Sequence, residues 1–160
     1  MKIRKILSNV SKITLKSVAM AWLLPLTIKY NTSMPKIVFA KLSEGNLGKY
    51  VKQMIIIDPH QTALVSTDEF KKAILHEYRH HWQWTHRHKE FIWWMEHKDL
   101  YRLCYHGTPI EIDARRFEKT NGKLDDSFIF DKMLLDKIKE AAKNESIQDY
   151  CQYWDMQLPW

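Results

Sequence analysis

Cysteine and glycine are scarce in this 160-residue chain, with two of the first, Cys104 and Cys151, and four of the second. Two cysteines so far apart make neither a disulfide framework nor a C-x-x-C metal knuckle, and they read as buried or free thiols. Four glycines and five prolines, without a repeat or a low-complexity tract, exclude collagen-like, solenoid and disordered chains. Long apolar runs are missing too. The stretch from Val18 to Leu24 is interrupted by Pro25 and is far shorter than the about 20 residues that cross a bilayer. Acid is missing from one region: residues 1–50 hold nine Lys/Arg and only Glu44, whereas the remainder balances sixteen Lys/Arg against eighteen acids. That asymmetry predicts a basic arm on a near-neutral body, and such an arm favours a membrane surface, nucleic acid or an acidic protein.

What is present is core material. The chain is 45% hydrophobic, with seven Trp, seven Tyr and six Phe, enough for one domain and too short for two ordinary ones. The division expected is a basic amphipathic segment over 1–30 and a single domain over 31–160. In the first, Ile3, Ile6, Leu7, Val10 and Ile13 recur at helical spacing among lysines. Polar residues between Lys5 and Val18, and no small-x-small site after Leu24, argue against a cleaved signal. The helix suits an anionic membrane surface, or packs on its own domain.

Lys36–Leu42 and Tyr50–Asp58 are rich in β-branched and aromatic residues and flank Ser43-Glu-Gly-Asn-Leu-Gly48, which predicts strand, loop, strand, most simply an antiparallel hairpin. Ser66 with Glu69 is a capping box opening a helix to about Trp84. Helical texture continues to Tyr105; Thr108-Pro109 opens a further helix that Asn121-Gly122 ends. Ser127–Ala142 shows helical periodicity, and a last aromatic helix or loop ends at Trp160. The fold class expected is α+β: a small antiparallel sheet beside one central helix, then a helical C-terminal half.

Within the central helix lies His76-Glu77-Tyr78-Arg79-His80, an HExxH. Random placement in a chain of this composition yields only about 0.02 such matches. On a helix, residues i and i+4 share a face, so both imidazoles can bind one Zn²⁺. Glu77, beside them without being a ligand, suits a general base that takes a proton from a metal-activated water. A catalytic zinc needs a third protein ligand. His86 has the spacing of an HExxHxxGxxH pattern but lacks its glycine, and on a continuing helix it points away. Glu111, in Pro109-Ile-Glu-Ile-Asp-Ala-Arg-Arg-Phe117, is the better candidate. It competes with a plainer role, because Thr108-x-x-Glu111 is itself a capping box. Ligation is the reading preferred, since HExxH would otherwise stay incomplete, with His106 or Asp113 next in line.

HEYRHHWQW followed by PIEIDARRF resembles the gluzincin branch of the zinc metallopeptidases, in particular small bacterial and bacteriophage-type domains reading HExRHxxQ and then PxExEA. The likeness spans roughly residues 36–118 and leaves the basic arm and the last helices outside it. It implies a zincin-like fold, one zinc per chain on His76, His80 and Glu111, Glu77 as catalytic base, and a peptide or protein substrate. Asp113 stands where glutamate is usual.

Other residues carry weaker signals. Arg79, Gln83 and Arg115 suit the orientation of ligands, or ordinary salt bridges. Tyr101, Tyr105 and His106 are candidate oxyanion donors, with core or surface roles the plainer reading. The density of Trp82, Trp84, Trp93 and Trp94 among histidines invites base stacking, but no nucleic-acid motif accompanies it, which argues against that partner. The function expected is therefore zinc-dependent peptide hydrolysis in a cytoplasmic or membrane-associated protein, with secretion left open. Its rival is a non-catalytic, zinc-stabilised binding protein that uses its basic arm on membrane or nucleic acid. A zinc hydrolase acting on amides other than proteins is a third reading.

Overall fold

A computed structural model describes residues 2–96 and 108–123, with side chains from Lys12 onward except that of Pro109. The chain divides into two compact units, Met1–Thr85 and His86–Trp160. The architecture is mixed α+β and mostly helical, with one small sheet.

The first unit opens with α1 (Lys2–Lys29), which runs through Pro25. Pro25 and Ala21, whose carbonyl loses its usual helical partner, are both exposed, so water can take that bond. The Thr27 hydroxyl donates to the Leu24 carbonyl at 2.8 Å and so engages another acceptor of this turn. Among the described side chains of α1, the apolar residues Ala19 and Leu23 are fully buried.

Three short strands follow, β1 (Lys36–Phe39), β2 (Gly48–Val51) and β3 (Met54–Ile57), in the order β1-β3-β2. The expected antiparallel hairpin is corrected here. The segment from Tyr50 to Asp58 is two strands, because Lys52 and Gln53 take φ of 40° and 69° and fold the chain back in a two-residue turn. Positive φ at both turn residues matches the right-handed twist of the strands, and the Tyr50 hydroxyl accepts from the Gln53 N–H at 2.9 Å to hold it. β2 therefore takes the antiparallel side of β3, Val51 opposite Met54, and β1 pairs parallel with the other side, Lys36 opposite Met54. The sheet is mixed. Its inward residues Ile37, Ile55 and Ile57 are buried. Each such side chain contributes roughly 1.5–3 kcal/mol.

Asp58 ends β3 and caps the short α2 (Pro59–Thr62), accepting from the His60 and Gln61 N–H groups at 2.9 and 3.1 Å. Its other oxygen accepts from the Leu42 N–H at 2.8 Å and so fastens the chain that leaves β1 to the end of β3. These donors, Leu42 first, lower its carboxyl to about 2. Next comes α3 (Thr67–His86), which buries Phe70, Ile74, Leu75, Tyr78 and Trp82. Trp22 of α1 meets Phe70 with ring centroids 5.4 Å apart.

In the second unit, Arg87 breaks the helical path before α4 (His88–Glu96), which buries Phe91 and Trp94. α5 (Pro109–Lys119) has Pro109 in its first turn and closes as expected, with Asn121 and Gly122 at positive φ and the Gly122 N–H donating to the Phe117 carbonyl at 2.9 Å. The helices expected over 127–142 and toward Trp160, and both cysteines, lie outside the described residues.

Candidate metal centre

α3 begins as its sequence requires. The Ser66 hydroxyl accepts from the Glu69 N–H at 3.2 Å, and the Glu69 carboxylate accepts from the Ser66 N–H at 2.9 Å and its hydroxyl at 2.8 Å. The Ser66 N–H, before the hydroxyl, holds the Glu69 carboxyl below its usual range. With its first turn fixed, the helix carries His76 and His80 one turn apart, their ring centroids 4.9 Å apart and nearly perpendicular.

Their Nε2 atoms lie 3.2 Å apart. The Nδ1 of His80 is 2.8 Å from Oε1 of Gln83, which is fully buried. An amide oxygen only accepts, so Nδ1 carries the proton and Nε2 presents its lone pair toward His76. His80 is buried and His76 half-buried. Glu111, on α5, is 1% exposed. His76, His80 and Glu111 each offer a ligand atom, and these atoms all lie within 4.8 Å of one another. It is the one such group among the described residues.

The donors fit zinc. Two nitrogens held about 2.0–2.1 Å from a tetrahedral zinc are themselves about 3.4 Å apart, close to the spacing seen. Two imidazoles and one carboxylate are also a donor set of a catalytic zinc, which keeps a fourth position open. The capping alternative for Glu111 loses one of its halves, since Thr108 makes no side-chain cap hydrogen bond to α5. A buried carboxylate is costly unless a cation or a metal compensates it, which bears on both acids of α5. Asp113 is fully buried as well, and its charge acts on Arg116 three residues on, opposing the burial that lowers the Arg116 pKa.

Glu77 is half-buried and packs against the sheet. Its Cγ would lie 3.1 Å from a Cβ placed on Gly48. Gly48 is thus a strand residue, opposite Ile57, and not part of the loop to which its sequence assigns it. The absence of a side chain there makes room for Glu77.

His81, next to His80, belongs to another network. Its Nε2–H donates to the Ser33 carbonyl at 2.9 Å, so its Nδ1 is the acceptor for the Tyr50 hydroxyl at 3.2 Å. The Tyr78 hydroxyl meets Thr32 at 2.7 Å. Burial pushes both tyrosines up to about 12. These contacts tie the chain after α1, the hairpin turn and α3 together. Sequence reasoning missed them, because Ser33 and His81 are 48 residues apart.

Arg79 is fully buried with its guanidinium 4.0 Å from the Trp82 ring centre, an internal stack. Trp82 and Trp94 are buried; His86 and His88 are exposed. Tyr101, Tyr105 and His106 lie outside the described residues. A cavity of about 790 Å³ in the first unit, lined by Phe39, Leu42, Asp58 and His60 among others, includes none of His76, Glu77 and His80. No family model, curated protein or solved structure matches the chain, so the chemistry of this site is read from its own residues.

Proposed function

We propose that the chain is a zinc-dependent metallopeptidase with a zincin-like site, in keeping with the gluzincin resemblance of its two motifs. The observation that carries this reading is the grouping of His76, His80 and Glu111 within 4.8 Å, with the two imidazole Nε2 atoms at 3.2 Å. When bound, zinc would polarise the scissile carbonyl and acidify water. The chain supplies the rest. His76, His80 and Glu111 are the ligands, and Gln83 holds His80 in the tautomer that ligation needs. The Glu77 carboxylate takes a proton from the attacking water and returns it to the leaving amine nitrogen. β2 is an outer strand of the sheet, and its Gly48 abuts Glu77. An extended peptide pairing along that edge would pass beside the base.

The competing reading, a zinc-stabilised binding module, draws on the burial of His80 and Glu111. A structural zinc site would not require an acid beside its histidines. The test is cleavage of a peptide library by the zinc-loaded chain, read by mass spectrometry, alongside Glu77→Gln. Cleavage by the parent and its loss in a variant that keeps about one zinc per chain is the expected result. Equal turnover by Glu77→Gln would refute the mechanism, and turnover only of non-peptide amides would move the substrate class.

A further inference from the structure

α1 has two apolar faces, of which only one is used within the first unit. Ala19, Leu23 and Thr27 are buried, and Trp22 packs on Phe70. On another face Ile13, Met20, Leu24 and Ile28 are 67%, 39%, 55% and 76% exposed. At about 100° per residue these four fall in a single stripe about 80° wide, interrupted by exposed Ser17. In sequence, Ile6 and Val10 precede Ile13 at intervals of seven and three, in step with that stripe.

Charge selects the occupant. Residues 1–30 hold Lys2, Arg4, Lys5, Lys12, Lys16 and Lys29 and no acid. A second copy packed along the stripe would set cations against cations. Nucleic acid would satisfy the lysines and leave the aliphatic side chains in water. An anionic bilayer takes both: aliphatic side chains enter the boundary of headgroups and acyl chains, and lysines reach the headgroups. No described helix is long and apolar enough to cross a membrane, so the contact would be one of lying in the interface.

We propose that α1 is a peripheral membrane-binding helix that seats Ile13, Met20, Leu24 and Ile28 in the interface of an anionic bilayer. This stands apart from the peptidase reading and holds whether or not the metal site is catalytic.

The test is flotation of the full chain with vesicles of phosphatidylcholine, with and without phosphatidylglycerol, at low and high salt. Binding is expected to the anionic vesicles, at least about tenfold weaker to neutral ones, and to fall with salt. Leu24→Ser with Ile28→Ser should weaken it about tenfold or more at unchanged far-ultraviolet circular dichroism, and Lys16→Gln should reduce the salt sensitivity. Ile13→Ser with Met20→Ser is an independent pair on the same stripe, should the first disturb folding. Failure of the intact chain to float, or binding indifferent to both serine pairs, would overturn the proposal. So would a dimer in sedimentation that the serine pairs dissociate without any vesicle binding, or duplex DNA binding that they leave unchanged while vesicles are ignored.

Discussion

His76 and His80 present their Nε2 atoms to each other across 3.2 Å, one turn apart on α3. That spacing arises from local causes: a capped helix start at Ser66, an uninterrupted helix, and Gln83 three residues beyond His80 to fix its ring. A single cation between the two nitrogens would use geometry already built into one helix.

Gln83 is the first residue to test after the three proposed ligands. Gln83→Ala removes the acceptor for the His80 Nδ1–H, and zinc affinity should fall roughly 10- to 100-fold. Gln83→Glu keeps an acceptor and should retain most of it. Chelator competition measures both, and parent-like affinity in Gln83→Ala would show that His80 is held by something else.

Gly48 should matter to turnover and not to metal. A methyl group there meets the Glu77 Cγ at 3.1 Å, so Glu77 has to shift by a few tenths of an ångström. Gly48→Ala should keep its zinc while hydrolysis falls roughly tenfold, and Gly48→Val should lose more, because small displacements of a catalytic group are costly. Full activity in Gly48→Val would remove Gly48 from the positioning of the base.

Asp58 should govern acid stability. Its folded carboxyl is at about 2, below the usual value of about 3.9 for an unfolded aspartate. The folded state therefore binds fewer protons across that interval. The stabilisation is complete above about pH 4 and declines as pH falls toward 2. Asp58→Asn should lower the urea midpoint at pH 7 and show a smaller further loss by pH 3. Parallel pH profiles for parent and variant would contradict this role.

The parts of the fold that were legible in sequence are those whose causes are local. The Ser66–Glu69 box, the HExxH spacing and the Asn121-Gly122 stop each sit within a few residues, and each appears as read. The strand-forming regions were legible, whereas the division of Tyr50–Asp58 into two strands and the pairing were not. Parallel pairing of β1 depends on a turn at Lys52-Gln53, and neither residue is the glycine or asparagine that advertises positive φ. Gly48, His81 and Asp58 were opaque for a related reason. What each does is set by a partner remote in sequence: Glu77, Ser33 and Leu42. Glu111 was legible as a candidate through its motif, whereas its burial and its grouping with the histidines came only with the structure.

If His76, His80 and Glu111 hold one zinc ion, zinc stoichiometry under mild chelator competition reads it out. The parent should retain about one zinc per chain, and His76→Ala, His80→Ala and Glu111→Ala should each lose it, while Asp113→Ala, whose carboxylate acts on Arg116, should lose much less. A Glu111→Ala protein that holds zinc as tightly as the parent would contradict the assignment.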